Sequence, residues 1–414
     1  MTETTALSGE LRDAIRAVGD ADIVVGIPSF RNAATIGHVA TVAAEGLRRH
    51  FSDARVAIVN ADGGSEDGTT ERVRASADGV PAIAGRYQGR SGKGSAFRAI
   101  FEAVGMLGAR ACAVVDSDLR SITPEWIERL AGPVVRGEAD YVTPLYARHK
   151  YDGTITNTIA YPLTRALYGA RIRQPIGGEF GFSSRLASVY ASEPVWDSDI
   201  ARFGIDIFMT TTALVRGARI AQAFLGAKIH DPKDPGADLG PMFTQVVGTL
   251  IALARRADAV AVWSGVPGSR DVPVIGEPRS VEPEAVNASV PTLIEKFRAG
   301  AETEGRVHDA LLGVEVKEAI ARALKANDPS AFDGELWARA VYDIVAASRV
   351  RNDTEVLARA LLPLYFARVA ALIGEVKDLD TAGAEERIEA QALAFERLKP
   401  SLVERWSAAE PSRA

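Results

Sequence analysis

The chain has 414 residues, which is long for a single hydrophobic core and predicts a catalytic domain with a smaller second domain. Hydrophobic residues make up 47% and charged residues 25%, the balance of an ordinary soluble globular protein. A net charge of −6 argues against nucleic acid as the main partner, because a phosphate backbone requires a basic surface.

The sequence shows no apolar run that approaches the roughly 20 residues needed to cross a bilayer. The best candidate, residues 246–263, is interrupted by two arginines and an aspartate, which predicts an amphipathic helix. Residues 1–20 carry acidic side chains and no continuous apolar core, so we expect a loose amphipathic helix rather than a secretory signal. The single cysteine, Cys112, is expected to be a buried thiol in a reducing compartment. We therefore expect a cytoplasmic protein with no membrane partner.

The first half of the chain alternates between apolar runs, turn-rich loops and helices. Continuous apolar runs predict buried strands at residues 23–27 and 55–60, and further strands are predicted at 140–145 and 219–225. Five helices are predicted around these strands. One begins near Ala33, one ends near Arg74 and one runs through Ala103. Another spans residues 124–130, and the last runs through Val215. This order predicts an α/β fold with a Rossmann-like, mostly parallel sheet flanked by helices.

A short apolar run, residues 113–119, ends in Asp116 and Asp118. Side chains alternate along a strand, so the two carboxylates point the same way if the strand persists to its end. Two carboxylates at the carboxyl edge of a parallel sheet suit a hard divalent cation and the phosphates that it bridges. The alternative is that they cap the helix that begins at Thr123-Pro124-Glu125.

Loops at the same edge carry groups that suit a nucleotide. After the second strand, Asp62 is placed to accept hydrogen bonds from a base or ribose, and Gly63 lets the backbone approach a flat ligand. An ordinary turn rich in Asp and Ser is the alternative. In residues 89–96, backbone amides at a helix start together with Lys93 suit a diphosphate, although the Walker spacing is absent. A solvated lysine in a linker is the alternative there.

Four later segments carry further polar groups. Residues 146–157 bring cations and hydroxyls to a helix N-terminus, which suits a small carboxylate, with an ordinary capped helix as the alternative. Glu179 follows paired glycines and could bind sugar hydroxyls. Asp206 lies in the first turn of an apolar helix, where it could also be a partner of the helix dipole. A lone histidine such as His230 is more often a packed or solvated residue than a ligand, although histidine is the commonest nitrogen ligand of metals.

The C-terminal part of the chain carries no recognisable chemistry. Residues 265–290 are rich in Pro, Val and Glu and are predicted to form a linker or an excursion, and helical patterns follow. We expect two domains, 1–264 and 265–414, the second mainly helical. Its many apolar positions predict a surface that seals a homodimer.

In their order and spacing, these motifs resemble retaining glycosyltransferases of the GT-A nucleotide-sugar fold, in the group of mannosylglycerate synthase, glucosyl-3-phosphoglycerate synthase and glucosylglycerate synthase. The resemblance covers about residues 20–260. It rests on seven motifs: Pro28-Ser29-Phe30, Asp62-Gly63-Gly64-Ser65, Gly92-Lys93-Gly94, Asp116-Ser117-Asp118, Gln174-Pro175-Ile176-Gly177-Gly178-Glu179, Gly204-Ile205-Asp206 and Lys228-Ile229-His230.

The resemblance implies a role for each motif. The nucleotide would be held by Pro28, Ser29, Asp62, Gly63 and Lys93, and Asp116 would contact its ribose and sugar side. The metal ligands would be Asp118 and His230, with Asp116 beside them, binding Mg²⁺ or Mn²⁺ that bridges the diphosphate. The backbone of Ile176, Gly177 and Gly178 would lie beneath the anomeric carbon, with Glu179 and Asp206 on sugar hydroxyls or the acceptor.

The resemblance also implies the chemistry and the acceptor. Family members retain the anomeric configuration, and because no side chain stands out as a covalent nucleophile, we favour a same-face substitution in which the departing phosphate helps to deprotonate the acceptor. Arg148 and Thr156 match positions for glycerate, and Met242 is expected on a mobile loop that closes over it. Relatives that use phosphoglycerate are expected to carry an arginine close before that threonine. Here Thr154 takes this place, although Arg148, His149 and Lys150 could compensate.

The function expected from the sequence is metal-dependent transfer of glucose from GDP-, UDP- or ADP-glucose to the 2-hydroxyl of D-glycerate. Phosphoglycerate as acceptor and mannose as the transferred sugar are alternatives within the same class. A nucleotidyltransferase and a non-catalytic nucleotide-sugar binder are alternatives from other classes.

Overall fold

The computed structural model of the protein describes residues 5–229, 239–278, 283 and 286–409. The chain forms two compact units, each assembled from three segments. Unit 1 comprises Met1–Ala147, Gln174–Asp231 and Val272–Pro283, and unit 2 comprises Arg148–Arg173, Pro232–Asp271 and Glu284–Ala414. This division differs from the expected domains 1–264 and 265–414, because segments on the N-terminal side of residue 264 pack with the C-terminal helices.

A mixed, mostly parallel sheet forms the centre of unit 1. Within the described residues it has eight strands: β1 Ile23–Ser29, β2 Val56–Asp62, β3 Ala82–Arg86, β4 Ala111–Val114, β5 Tyr141–Ala147, β6 Phe180–Ser183, β7 Ile220–Ala227 and β8 Val274–Ile275. Their order is β3-β2-β1-β4-β6-β5-β7-β8. β6 runs antiparallel to both of its neighbours, and the other pairs are parallel. The predicted α/β class with a mostly parallel sheet is confirmed.

Helices account for most of the remaining regular structure. Their bounds are α1 Gly9–Val18, α2 Ile36–His50, α3 Thr69–Ser76, α4 Lys93–Met106, α5 Pro124–Val135, α6 Tyr161–Tyr168, α7 Ser184–Ser192, α8 Ile205–Val215, α9 Leu239–Ala254, α10 Ala257–Trp263, α11 Val290–Thr303, α12 Gly305–Leu311, α13 Val314–Ala326, α14 Gly334–Ala347, α15 Thr354–Val376 and α16 Thr381–Ala408. A short π-helix, Thr156–Ala160, precedes α6, and a 3₁₀ turn, Asp199–Ala201, precedes α8.

The sheet of unit 1 is covered by helices on both faces. Along β1, the side chains of Ile23, Val25 and Ile27 belong to one apolar cluster with residues of α2 and α5. Gly26, between them in the strand, lies instead against Ile100 of α4. Because side chains alternate along a strand, α2 and α5 cover one face of the sheet and α4 covers the other. This double cover explains why the strand is apolar at consecutive positions.

Most predicted strands are present, with shifted ends. The second strand continues to Asp62, the strand predicted at 140–145 is β5, and the strand predicted at 219–225 is β7. The short strands β3 and β6 are additions that the sequence patterns did not indicate. Cys112 lies in β4 and is fully buried, as expected.

The segment after unit 1's main strands is more than a linker. Residues 265–290 were expected to connect two domains or to form an excursion, but Val274 and Ile275 add a parallel edge strand beside β7. Nearby, Gly276 packs against the guanidinium of Arg129, which also donates a hydrogen bond to the Phe224 carbonyl. Part of this segment therefore belongs to unit 1.

Unit 2 is helical, as predicted for the C-terminal region. Its apolar positions are largely buried within the unit, for example at Leu357, Leu361, Phe395 and Leu402. The homodimer was predicted because these apolar positions were expected to form an exposed surface. That reason does not hold, because the positions are buried in the folded chain. The homodimer itself stays a prediction.

One helix among the described residues, α15, is long and apolar enough to span a membrane by length and composition, and 83% of its apolar window is buried inside the protein. The expectation that no segment reaches this length is therefore wrong. A core helix of a soluble protein meets the same criteria. The segment expected to be the best candidate, residues 246–263, forms two shorter helices, α9 and α10.

A glycine at the start of α4 makes a contact that no larger residue fits. A Cβ on Gly94 would lie 1.8 Å from the carbonyl oxygen of Ile200, and a Cβ on Gly92 would lie 2.4 Å from that of Ala201. The Gly94 amide also donates a hydrogen bond to the Arg202 carbonyl. These glycines thus let α4 approach the backbone before α8, and the Gly94 amide, one of the helix-start amides predicted to suit a diphosphate, is bonded within the protein.

This contact predicts that Gly94→Ala destabilises the protein by about 3 kcal/mol or more, because two backbones must move apart. The matched control is Gly105→Ala in the same helix, where a Cβ would meet nothing within 4 Å. Alanine there should stabilise the helix by about 0.5–1 kcal/mol. Urea unfolding of both variants checks this, and equal effects of the two substitutions would contradict the packing role of Gly94.

Candidate functional site

The polar residues predicted for the site gather at one edge of the sheet in unit 1. β1, β2, β4, β5 and β7 all point their carboxyl ends to this edge, and Asp116 and Lys228 follow β4 and β7 directly. β6 runs the opposite way, with Phe180 paired to Val114, so Glu179 enters the sheet where β4 leaves it. The antiparallel strand therefore brings Glu179 to the edge that carries Asp116.

Asp116 and Asp118 do not lie on a strand. β4 ends at Val114, although the Val115 amide still donates a hydrogen bond to the Gly26 carbonyl. The two carboxylates then sit in a loop, so the alternation argument that aligned them was wrong. Neither is the N-cap of α5, because Thr123 holds that position.

Five charged side chains from five segments meet at this edge: Lys93, Asp116, Glu179, Asp206 and Lys228. We call them the lysine–carboxylate network. Lys93 Nζ lies 2.8 Å from Asp116 Oδ1 and 3.5 Å from Asp206 Oδ1. Lys228 Nζ lies 3.2 Å from Asp116 Oδ2 and 2.9 Å from each carboxylate oxygen of Glu179. Asp116 therefore uses one oxygen on each lysine.

The network holds three carboxylates against two lysines, and the electrostatics reflect that imbalance. Burial opposes the charge on Asp116, but Lys93 and Lys228 together lower its pKa below the ordinary value. Burial raises the pKa of Glu179 to about 7, despite its contact with Lys228. Burial also raises the pKa of Asp206. Asp116 thus keeps its charge, whereas burial and the excess negative charge favour the protonated forms of Glu179 and Asp206.

Two uncharged groups complete the surroundings of Glu179 and Lys228. The hydroxyl of Tyr146, near the end of β5, donates a short hydrogen bond to Glu179 Oε2. Lys228 Nζ also donates to the Gly177 carbonyl at 3.0 Å. Glu179 is fully buried, and both of its oxygens have partners.

Paired glycines make room for this arrangement. A Cβ on Gly178 would lie 2.5 Å from Asp116 Oδ2 and 3.0 Å from Lys228 Nζ, and its φ of +94° is in the left-handed region. A Cβ on Gly177 would lie 2.0 Å from the ring of Pro144. The glycines were predicted to allow close approach to a ligand. In the structure they allow the turn to pack against the Asp116–Lys228 ion pair. Ile176, beside them, is half-buried.

Asp206 lies in the first turn of α8, as predicted, and is nearly buried. Within the part of the chain that the structure describes, its Oδ1 has no hydrogen-bond partner, and Lys93 at 3.5 Å makes an ion-pair contact only. A buried carboxylate oxygen without a donor is costly in a folded protein. Asp206 is therefore a group that a ligand hydroxyl would satisfy.

The residues predicted for the base and ribose form a closed turn. The hydroxyl of Ser29 donates to Asp62 at 2.7 Å, and the amides of Gly64 and Ser65 donate to the same carboxylate at 2.8 and 2.6 Å. Ser65 adds a hydroxyl donor at 2.8 Å. This is the Asp- and Ser-rich turn that the sequence left open as an alternative. It also brings Ser29 and Asp62 together, while a role toward a base stays a prediction.

Neighbouring nucleotide candidates lie around that turn. Pro28 is buried in β1 and pairs in register with Ala61 of β2. A Cβ on Gly63 would lie 3.0 Å from the ring of Phe30, a side chain that is more than half exposed. The first two strands therefore place all four nucleotide candidates of this region at the carboxyl edge.

The predicted metal ligands differ in their surroundings. Both oxygens of Asp116 contact lysines, whereas the half-buried Asp118 carboxylate has no ion-pair or hydrogen-bond partner among the described residues. His230 lies outside the described residues. Within residues 5–229, 239–278, 283 and 286–409, no three His, Cys, Asp or Glu side chains form a metal-binding group. Of the described candidates, Asp118 has the donor chemistry that a hard cation needs.

The residues predicted for the acceptor belong to unit 2. Arg148 pairs with Asp152 at 2.8 Å, and the Thr154 hydroxyl bonds the Tyr365 hydroxyl at 2.6 Å. Thr156 is buried at the start of the π-helix, a feature that is frequent at functional sites. Met242 lies in α9, so the expectation of a mobile loop at this residue was wrong.

Two residues of the site were not singled out from the sequence. Lys228 stood in a recognised motif, Lys228-Ile229-His230, but was given no role, and Tyr146 was read as the start of a polar loop. Both act across the sheet on Glu179, a residue about 30 to 50 positions away in the chain. The motif position of Lys228 was the one signal that pointed to it.

The geometry of the turn predicts the effect of a single methyl group. Gly178→Ala should cost several kcal/mol and abolish turnover, because the Cβ collides with Asp116 and Lys228 in addition to the strain of positive φ. The control is Gly226→Ala, where φ is +80° and a Cβ would meet nothing within 4 Å. That variant should lose only about 1–2 kcal/mol from the left-handed backbone. Thermal unfolding and turnover of both variants decide, and an active Gly178→Ala enzyme would contradict the tight turn.

Comparisons with known proteins bear on most of unit 1 and on part of unit 2. A family model described as mannosylglycerate synthase, GT domain, matches residues 16–251. A search of the curated proteins found no match.

Three solved structures of glucosyl-3-phosphoglycerate synthase from Mycobacterium tuberculosis are similar to this chain. The complex with phosphoglyceric acid is 28% identical, with a TM-score of 0.47 over 61% of this chain and 85% of that one. The complex with Mn²⁺, uridine diphosphate and glucosyl-3-phosphoglycerate is 27% identical, with a TM-score of 0.46 over 61% and 86%. The complex with Mg²⁺ and uridine diphosphate is 25% identical, with a TM-score of 0.46 over 60% and 85%.

The family match spans more than half of the chain and contains the segments that carry the lysine–carboxylate network. The protein therefore belongs to the mannosylglycerate synthase family of glycosyltransferases.

Proposed function

We propose that the protein is a metal-dependent retaining hexosyltransferase that moves glucose from a nucleotide sugar to the 2-hydroxyl of D-glycerate. The observation that carries this proposal is the lysine–carboxylate network at the carboxyl edge of the sheet, in a chain of this glycosyltransferase family. Ligands of such sheets bind beyond the carboxyl ends of the strands.

The network has the groups that a donor requires. Lys93 is partly exposed, at 19% of its side chain, and lies at the first residue of α4, so its ammonium and the helix N-terminus suit the diphosphate. Asp206, with an unsatisfied oxygen, and Glu179 suit sugar hydroxyls. The Ser29–Asp62 turn offers polar groups for the base and ribose.

A divalent cation, Mg²⁺ or Mn²⁺, would be held by Asp118 and His230. The Asp118 carboxylate, which has no ion-pair or hydrogen-bond partner among the described residues, fits such a cation, and Asp116 fits it less well because each of its oxygens faces a lysine. When bound, the cation supplies Lewis-acid neutralisation of the charge on the leaving nucleoside diphosphate.

The site supports substitution without a covalent intermediate. Glu179 is the carboxylate next to the predicted sugar position, but both of its oxygens are held by Lys228 and Tyr146, so it is poorly placed to attack the anomeric carbon. The backbone of Ile176, Gly177 and Gly178 would instead lie beneath that carbon. We propose that the acceptor enters on the face from which the phosphate leaves, and that the phosphate takes its proton.

The described residues favour an acceptor without a phosphate group. Thr154 replaces the arginine expected in phosphoglycerate-using relatives, and its hydroxyl is already bonded to Tyr365. Two of the cations that could compensate are engaged within unit 2. Arg148 pairs with Asp152, and Lys150 Nζ donates to three backbone carbonyls at the end of α15 and just beyond it.

A panel of donors and acceptors tests the proposal. Purified protein is given GDP-, UDP- or ADP-glucose or GDP-mannose, each with D-glycerate or 3-phosphoglycerate and Mn²⁺, and the products are separated and quantified. We expect one glucose donor to react and glycerate to react faster than 3-phosphoglycerate. Faster turnover with 3-phosphoglycerate contradicts the acceptor, and pyrophosphate release from a nucleoside triphosphate contradicts the reaction class.

The metal assignment predicts that chelation abolishes turnover. It also predicts that Asp118→Asn and His230→Ala each lower the rate by about 10² to 10³, the effect of losing one transition-state contact of roughly 3 to 4 kcal/mol. Unfolding temperatures should stay close to wild type, because neither substitution removes an apolar core side chain. The surface variants Asp53→Asn and His38→Ala are controls for the same chemical changes. An unchanged Mn²⁺ titration curve for His230→Ala would show that this histidine is not a ligand.

A further inference from the structure

Residues 174–179 form an irregular yet buried turn, so its polar groups need partners outside regular structure. The side chain of Gln174 bonds both the amide and the carbonyl of Tyr146. The Pro175 carbonyl accepts from the Thr210 hydroxyl at 2.7 Å. Lys228 donates to the Gly177 carbonyl and to Glu179, which also accepts from the Tyr146 hydroxyl. The turn is thus fixed by side chains from three other elements.

Lys228 is committed to protein groups. An ammonium has three N–H donors, and those of Lys228 face Asp116, the Gly177 carbonyl and Glu179, with 6% of the side chain exposed. Lys93, in contrast, contacts two carboxylates and is 19% exposed. The two lysines therefore differ in what they can offer to a ligand.

We propose that Lys228 is a positioning residue for the sugar half of the donor site. It fixes the Gly177 carbonyl and the Glu179 carboxylate on Asp116, while Lys93 takes the diphosphate. This inference rests on the proposed function, since it assumes that a nucleotide sugar binds at the network.

The consequence of removing Lys228 follows from its contacts. Without the ammonium, the half-buried Asp116 and the fully buried Glu179 become neighbouring carboxylates that repel each other. The Gly177 carbonyl also loses its donor. The interaction that holds the left-handed Gly178 against Asp116 is then lost. The groups that face the sugar shift, whereas Lys93 stays at the start of α4.

Binding measurements with matched pairs of ligands separate the two halves of the donor. Isothermal titration with UDP-glucose and UDP, GDP-glucose and GDP, and ADP-glucose and ADP gives the contribution of the sugar to affinity. For Lys228→Met, we expect that contribution to fall about tenfold or more, the loss typical of a hydrogen bond to a charged group, with the affinity for the nucleoside diphosphate unchanged. Lys93→Met should weaken both ligands of a pair equally.

Lys399→Met is the matched control for loss of a buried lysine. Lys399 lies in unit 2, is 7% exposed and donates to the Val266 carbonyl at 2.9 Å. The Lys399→Met variant should keep the wild-type affinities for the nucleotide sugar and for the nucleoside diphosphate. If Lys228→Met is insoluble, Lys228→Arg is measured in the same way, because a planar guanidinium keeps the charge but does not reproduce three divergent hydrogen bonds.

The outcomes are distinct. A selective loss of the sugar contribution in the Lys228 variant supports the positioning role. An equal loss for nucleotide sugar and nucleoside diphosphate, or no loss at all, overturns it and assigns Lys228 to the diphosphate or to neither ligand. Failure of the wild-type protein to bind any nucleotide sugar overturns the proposed function as well.

Discussion

The site depends on one buried arrangement, the bridging of two lysines by the carboxylate of Asp116. Charges are costly to bury unless they are paired, and the pairing here connects the start of α4, the end of β4 and the end of β7. Glu179 and Asp206 extend the network to β6 and α8. With three carboxylates and two lysines, the network carries excess negative charge, and burial raises the pKa of both outer carboxylates.

Glycine-rich motifs at this edge are explained first by protein packing. Gly94 admits the backbone before α8, and Gly178 admits the Asp116–Lys228 pair. Gly178 was expected to allow close approach to a ligand and Gly94 to lie among helix-start amides that suit a diphosphate, but the closest atoms around each belong to the protein itself. The motifs still define the site, because the close packing determines where Lys93 and Glu179 lie. Sequence motifs of this kind therefore record the shape of the site as well as contacts to a substrate.

Much of the fold followed from the sequence, because continuous apolar runs and loop spacing are local signals. They predicted β1, β2, β5 and β7 and the helices between them, and the position of Asp206 in a first helical turn. The roles of Lys228 and Tyr146 did not follow, because both reach Glu179 across the sheet through a strand, β6, that is four residues long and contains a glycine. The two-unit division was missed for the same reason, since it depends on long-range packing rather than on composition.

We propose that the lysine–carboxylate network binds the sugar and diphosphate of a nucleotide sugar. A crystal structure of the protein with its donor and Mn²⁺ tests this most directly. We expect the diphosphate within hydrogen-bond distance of Lys93 and the hexose over the turn from Ile176 to Glu179, with Lys228 still bound to the Gly177 carbonyl. A donor bound away from these residues, or a diphosphate held by Lys228 in place of Gly177 and Glu179, would contradict it.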